Sequence, residues 1–133
     1  LLQQRAANKR LWGGYWSNSC CSHPRKAETM QQAVSRRCEQ ELGFSTPMQF
    51  VYKFEYQAEY ADKGSEHELC SVFIGQFDGT PNVNATEVSA YRWVDPAQLN
   101  RELGDPDSQF TPWLRLEWQT LNDDYLSLMP KIL

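Results

Sequence analysis

The stretch Asn18-Ser19-Cys20-Cys21-Ser22-His23-Pro24, continued through Glu28 and the run Arg36-Arg37-Cys38-Glu39-Gln40-Glu41-Leu42-Gly43, decides how this chain is read. It brings a thiol pair, one of only two histidines, and a face of carboxylates and arginines into one short segment. Three kinds of reactive side chain that close together mark a site more than a fold element. The helix inside the stretch is legible. Thr29 can serve as N-cap, and Gln32, three residues on, completes a capping box. Met30, Ala33, Val34, Cys38 and Leu42 follow the i, i+3, i+4 spacing of a core-facing stripe. Arg37 and Glu41 are i, i+4 neighbours on its border. Gly43 is placed to stop the helix as a C′ residue. Cys38 reads as a small buried apolar residue.

Working outward, the composition sets bounds. The chain has 133 residues, 41% hydrophobic and 23% charged, which is one domain's worth of core. The net charge of -4 argues against a duplex nucleic-acid partner, whose footprint is usually basic. No apolar run approaches the roughly 18 residues of a membrane span. Of the four cysteines, Cys20, Cys21, Cys38 and Cys70, none makes a Cys-x-x-Cys spacing. Cys20 and Cys21 are adjacent and form a poor disulfide pair. Free thiols in a reducing, cytoplasmic compartment are expected.

Leu1 to Arg5 reads as a strand end, and Leu11 to Trp16 as a turn packed by aromatics. Arg5 and Lys9 flank a loop leading to the thiols, so they are either an anion clamp or solvated surface charge. Pro47 to Ala61 is the clearest strand. Phe50, Tyr52, Phe54, Tyr56, Ala58 and Tyr60 alternate with a mostly polar set. Asp62 to Ser65 turns the chain, and Glu66 to Phe77 returns it as a hairpin. There Glu66, Glu68 and Cys70 share one face and His67 takes the other. Two carboxylates two apart on one face repel unless something positive sits between them. A metal would serve; two solvated surface acids are the alternative. Asp78 to Ala85 is loop, and Glu87 to Val94 a further strand. Asp95-Pro96 opens a short helix running to about Leu103, and Thr111-Pro112-Trp113 opens the last one. Trp113, Leu116, Leu121 and Leu128 are its expected buried stripe. The order predicts an α+β, mixed α/β sandwich in one domain, a sheet flanked by helices.

At the central helix the residues resemble the Nudix box, Gly-x5-Glu-x7-Arg-Glu-U-x-Glu-Glu-x-Gly-U, with U apolar. Ser22 stands at the first Gly, and Glu28 and Arg36 match. Arg37 replaces the box Glu, and Cys38 fills the apolar position. Gln40 replaces the first of the paired Glu, and Glu41, Gly43 and Phe44 match. The spacing is intact while the acidic cluster is thinned. Among Nudix proteins this pattern resembles the type I isopentenyl diphosphate isomerases. Leu1-Leu2-Gln3-Gln4-Arg5-Ala6, Asn18 to Pro24, Glu41-Leu42-Gly43, Glu66-His67-Glu68 and Thr111-Pro112-Trp113 carry the likeness in order and spacing, over essentially the whole chain.

The resemblance implies a Nudix-like fold and a set of roles. Cys21 and Glu68 are the acid–base pair on opposite faces of the substrate alkene, and Tyr56 tunes Glu68. His23, Glu66 and Glu68 hold one divalent metal, Mn2+, Mg2+ or Zn2+. Glu41 helps hold a Mg2+ that comes with the substrate diphosphate. Arg5, Lys9, Ser22 and Arg37 contact that diphosphate, and Trp113 offers its ring face to a developing carbocation. The substrate is a small molecule, isopentenyl diphosphate, and the chain is expected to act as a monomer. The family also takes two metal-binding histidines from a segment ahead of Leu1. They are absent from 1–133, and His67 points away from the site. With no methionine at its start, the chain is expected to be a single Nudix-like domain preceded by a further segment.

Two other functions are open. A Nudix hydrolase of a nucleoside diphosphate derivative would need more carboxylates than Arg37 and Gln40 leave on the helix. An inactive diphosphate-binding homologue would fit the absent histidines but not the retained Cys21 and Glu68.

Overall fold

The computed structural model describes residues 1–21 and 23–125, save for the side chain of Glu66. Ser22 and Leu128, both singled out above, lie outside the described residues.

β1 (Leu2–Arg5) forms where a strand end was expected. It lies at the centre of a three-stranded antiparallel sheet, between β2 (Trp16–Ser17) and β5 (Val88–Arg92). The aromatic turn therefore ends in a short strand that local reading did not give. β2 exists because Trp16 is tied on both sides. It pairs with Gln4 of β1, its N–H donates to Gln109 O, and its own carbonyl accepts from Thr111 N–H.

The hairpin is β3 (Met48–Tyr60) with β4 (Gly64–Gly75). The return strand starts and ends two residues earlier than the sequence suggests, because Gly64 already pairs with Tyr60. The aromatic face is broken once. Phe50 opposes Phe73 and Tyr52 opposes Val72, which leaves Val51 as the extra residue of a bulge. Val51 and Tyr52 then both pack on the core, while Phe50 is pushed out to 48% exposure. Period two fails there because a bulge shifts every side chain beyond it by one face.

α1 (Met30–Leu42) has both halves of its capping box and ends at Gly43, φ 75°. No other residue fits at position 43. The backbone is left-handed, and a Cβ would come within 2.5 Å of Asn82 O. That close approach is useful. Asn82 and Asn84 N–H groups satisfy the Leu42 and Glu41 carbonyls, so the loop after β4 is stitched onto the helix end. Ala33, Cys38 and Leu42 are buried as expected, and so is Glu41. Leu42 is wholly enclosed. Leu42→Ala should cost about 2–5 kcal/mol. Urea unfolding checks this, and a loss below about 1 kcal/mol would mean that the site collapses freely.

α2 (Pro96–Leu103) is capped by Asp95, which accepts from Gln98 N–H. α3 (Pro112–Thr120) begins after Thr111, but that side chain makes no cap. Thr111 is fully buried, and its hydroxyl shares a hydrogen bond with Ser17 instead. The α3 stripe is also corrected. Trp113, Leu114, Trp118 and Leu121 are buried, whereas Leu116 is 46% exposed. A π turn over 121–125 continues the helix.

Leu2, Val72, Leu99, Phe110, Leu114, Trp118 and Leu121 make the main core, which joins β1, the hairpin, α2 and α3. A second cluster of Trp12, Tyr56 and Trp113 adjoins it through Phe54, which packs against both. The α+β arrangement expected from the sequence is what forms, as two antiparallel sheets touched by helices. Among the described residues the one parallel contact is a bridge between Trp16 and Phe110.

Candidate active site

The second aromatic cluster is the floor of the site. Trp113 is 4% exposed and meets Trp12 edge-on at 5.4 Å between ring centres. It also lies 5.9 Å from the ring of buried Tyr56. The Arg5 guanidinium stands 5.2 Å over the Trp113 ring, so the ring face already attracts a cation. Arg5 also donates to Leu11 O.

Asn18 links this floor to the thiols, and sequence reasoning gave it no role. Its Oδ1 accepts from Trp113 Nε1 at 3.0 Å, from Ser17 Oγ at 2.8 Å and from Cys21 Sγ at 3.3 Å. Its Nδ2 donates to Cys20 O. Three donors converging on one oxygen fix which way the amide faces. The two adjacent thiols are thereby separated. Cys20 turns toward α1, where its Sγ donates to Glu41 Oε2 at 3.4 Å and shares a hydrogen bond with Cys38. Cys21 turns outward against Asn18. Surrounding protein atoms and the charge of Glu117 push the Cys21 thiol up to about 12, with the Asn18 hydrogen bond opposing them. The thiol therefore rests protonated.

The hairpin supplies the other side. Tyr56 pairs directly across from Glu68, and the Glu68 carboxylate lies 3.2 Å from His23 Nε2. His23 is only two residues past Cys21, so the contacts close a ring from Cys21 through Asn18, Trp113, Tyr56 and Glu68 to His23. His67 faces away as expected and pairs with Glu55 at 2.6 Å. The backbone of Glu66 pairs with Ala58, and its side chain lies outside the described residues. The imidazole and carboxylate of His23 and Glu68 form a nitrogen-and-oxygen donor pair that suits magnesium, manganese or zinc. Among the described residues no group of three or more such ligands converges.

The cationic side lies beside α1. Cys21, His23, Arg25, Arg36 and Arg37 line an open depression of about 260 Å3. Arg25 is an addition to the sequence reading. Lys9 is ion-paired to Glu87, a carboxylate that the sequence reading did not single out. Arg37 bonds Glu41 at 3.1 Å and approaches Glu87 at 3.8 Å. Lys9, Arg37, Glu41 and Glu87 are thus one network, assembled because the loop ending at Glu87 is stitched to the end of α1. Burial raises the Glu41 carboxyl, and Arg37 opposes that.

Glu28 and Arg36 hold the loop that carries His23. Arg36 donates to both Glu28 oxygens, at 2.8 and 3.0 Å, and to His23 O at 3.2 Å. The Arg36 hydrogen bonds and the Arg25 N–H pull Glu28 down to about 2. A carboxyl lowered in the folded state stabilises above its ordinary pKa and loses that effect as pH falls through the folded value. Wild type should therefore melt above Glu28→Gln at neutral pH, and the gap should close as pH drops toward about 2. A gap that persists unchanged in acid would mean the ion pair is not its source.

A family model described as the NUDIX domain matches residues 1–114. The chain is 45% identical over 119 residues to a protein named isopentenyl-diphosphate Delta-isomerase 1 from Photorhabdus laumondii, covering 88% of this chain and 68% of that one. It is 43% identical over 113 residues to the isopentenyl-diphosphate Delta-isomerase of Burkholderia multivorans, covering 85% and 64%. The chain thus spans about two thirds of the length of these relatives. Among solved structures, a Deinococcus radiodurans protein superposes with TM-score 0.69 at 18% identity, over 86% of this chain and 70% of that one. A MutT NUDIX hydrolase from Burkholderia pseudomallei gives 0.63 at 22% identity, over 89% and 84%. At those identities the two structures speak for the fold alone.

Proposed function

The chain belongs to the Nudix family, and within it to the isopentenyl-diphosphate Delta-isomerases; from that membership we propose that it interconverts isopentenyl and dimethylallyl diphosphate by moving protons between the alkene, Cys21 and Glu68. The observation that carries this reading is the closed ring of contacts joining Cys21, Asn18, Trp113, Tyr56, Glu68 and His23. It sets a thiol and a carboxyl, supplied by different elements, around an aromatic floor.

Moving a double bond needs one proton added and a different one removed. Starting from the resting thiol, Cys21 gives its proton to the terminal alkene carbon, and the electron pair of the double bond forms the new C–H bond. The adjacent carbon becomes a tertiary cation. Glu68 then takes a proton from the next carbon, and that C–H pair becomes the new double bond. The reverse reaction restores both groups, so each serves as acid in one direction and base in the other. The cation would be captured by water, so the buried rings of Trp113 and Tyr56 fit the step that needs a dry surface. Trp113 offers its face to the charge, and Tyr56 orients Glu68 across the hairpin.

Arg5, Lys9, Ser22 and Arg37, with Arg25 added, are proposed to hold the diphosphate. Lys9 and Arg37 already sit on Glu87, so an incoming diphosphate competes for them rather than ordering them afresh. Enzymes of this family in general need a divalent metal. His23, Glu66 and Glu68 would hold one such ion, Mn2+, Mg2+ or Zn2+, and Glu41 would help hold Mg2+ with the diphosphate; the ions supply positive charge against the clustered acids and phosphates. No helix among the described residues is long and apolar enough to cross a membrane. A monomer in the cytoplasm is the proposed state.

The test is deuterium incorporation from heavy water into isopentenyl diphosphate, followed by NMR with magnesium present. Exchange with formation of dimethylallyl diphosphate supports the isomerase. Silence from 1–133, and again from a chain extended at its N-terminus, would point to a binding homologue instead.

A further inference from the structure

We propose, resting on the isomerase reading above, that Asn18 is a positioning residue for the reaction: a buried chain of hydroxyls running from Thr111 through Ser17 holds its amide, and the amide fixes the Cys21 thiol against the Trp113 ring.

The chain begins at a threonine diverted from its ordinary work. Thr111 is the N-cap of α3, where a hydroxyl oxygen usually accepts from an N–H of the first turn. It makes no such bond. Its hydroxyl lies 3.0 Å from Ser17 Oγ instead, and its backbone N–H donates to Trp16 O at 2.9 Å. Thr111 and Ser17 are both buried, so neither hydroxyl can turn to water. The start of α3 is thereby tied to β2 by main chain and side chain together, two residues before Trp113.

The direction of the chain follows from counting hydrogens. A hydroxyl has one hydrogen to give. Ser17 Oγ gives its own to Asn18 Oδ1 at 2.8 Å. Thr111 is therefore the donor in the bond it shares with Ser17. Trp113 Nε1, which can only donate, ends on the same Asn18 oxygen at 3.0 Å. The other end of the amide is held as well, since Nδ2 donates to Cys20 O at 2.9 Å. An amide with two donors on its oxygen and an acceptor on its nitrogen has one orientation. The exposed Cys21 thiol meets that oxygen at 3.3 Å. In a buried chain each bond also strengthens the next.

The reaction needs this common reference. The thiol that delivers the proton and the ring that meets the resulting cation must keep one spacing, and the Asn18 oxygen is the atom they share. A displacement of about 1 Å in such a constellation costs about a hundredfold in rate. The hydroxyls of Thr111 and Ser17 touch neither the thiol nor the ring of Trp113, so they act only through the amide.

The experiment removes links of the chain one at a time. Thr111→Val keeps the shape and deletes the hydroxyl, and Thr111→Ser restores it. Asn18→Leu deletes the amide. The exchange assay gives kcat and KM, and the indole N–H signals of 15N-labelled protein report on Trp113, assigned by its loss in Trp113→Phe. Expected is a fall in kcat of about a hundredfold for Asn18→Leu and about tenfold for Thr111→Val, with KM for isopentenyl diphosphate changed less than about twofold. Thr111→Ser should recover most of the loss. The Trp113 signal should move in Thr111→Val and in Cys21→Ala, while that of Trp118, which donates to Asn100, stays in place. Thr111→Val with full kcat overturns the proposal, as does a Thr111→Ser no better than Thr111→Val, which would assign the effect to packing. A Trp113 signal unmoved in Cys21→Ala overturns it too, and that change lies at an exposed residue and needs no buried variant to fold. If wild type shows no exchange, the isomerase reading fails, while the Trp113 signal still judges the shared oxygen.

Discussion

Cys21→Ala is expected to lower kcat for isomerisation by about a thousandfold or more, with affinity for the diphosphate changed less than about threefold. Asn18 holds this thiol beside the aromatic floor, where it can pass a proton to the alkene. Its neighbour cannot substitute, because Cys20 is turned toward Glu41 and Cys38. Alanine keeps the backbone, and Asn18 still accepts from Trp113 and Ser17. The arginines on α1 are untouched. Turnover by NMR and a diphosphate titration by calorimetry separate the two effects. Joint loss of binding and turnover would make Cys21 a structural residue, and retained turnover would remove it from the chemistry altogether.

Glu68→Gln should be nearly as severe, lowering kcat by about a hundredfold to ten-thousandfold, and it should also reduce bound metal. The substitution keeps the shape and removes the charge. The contact with His23 at 3.2 Å loses its carboxylate, and a ligand oxygen becomes a poorer donor. Metal content by mass spectrometry is the second readout. A variant with full metal and low kcat would keep Glu68 as acid–base group and cancel its role as ligand. Full metal together with full turnover would cancel both.

The separation of the neighbouring thiols shows the limits of sequence reading. Cys20 and Cys21 are indistinguishable by type and position, and only the spacing to His23 favours Cys21. Their side chains point apart because Asn18 claims one thiol while Glu41 and Cys38 claim the other. Glu87, which pairs with Lys9 and Arg37, was missed for a related reason. It belongs to no motif. Glu87 reaches Lys9 and Arg37 only after Asn82 and Asn84 tie the loop to α1.

Local chemistry decided what local chemistry can. The capping box and left-handed Gly43 fixed α1, alternation and the Asp62–Ser65 turn fixed the hairpin, and Asp95-Pro96 fixed α2. Those elements depend on backbone sterics and hydrogen bonds within a few residues, which the sequence states directly. The family was legible for the same reason, since its motifs keep their spacing along the chain. Tertiary structure decided the rest. It turned Val51 into a bulge, took Thr111 from its cap to Ser17, and exposed Leu116 in favour of Leu114. It also drew one ring of contacts through residues from Asn18 to Trp113. Each of those outcomes pairs groups distant in sequence. Such pairs are chosen by which packing buries the most apolar surface while leaving the fewest polar groups unmet, a comparison that no single segment contains.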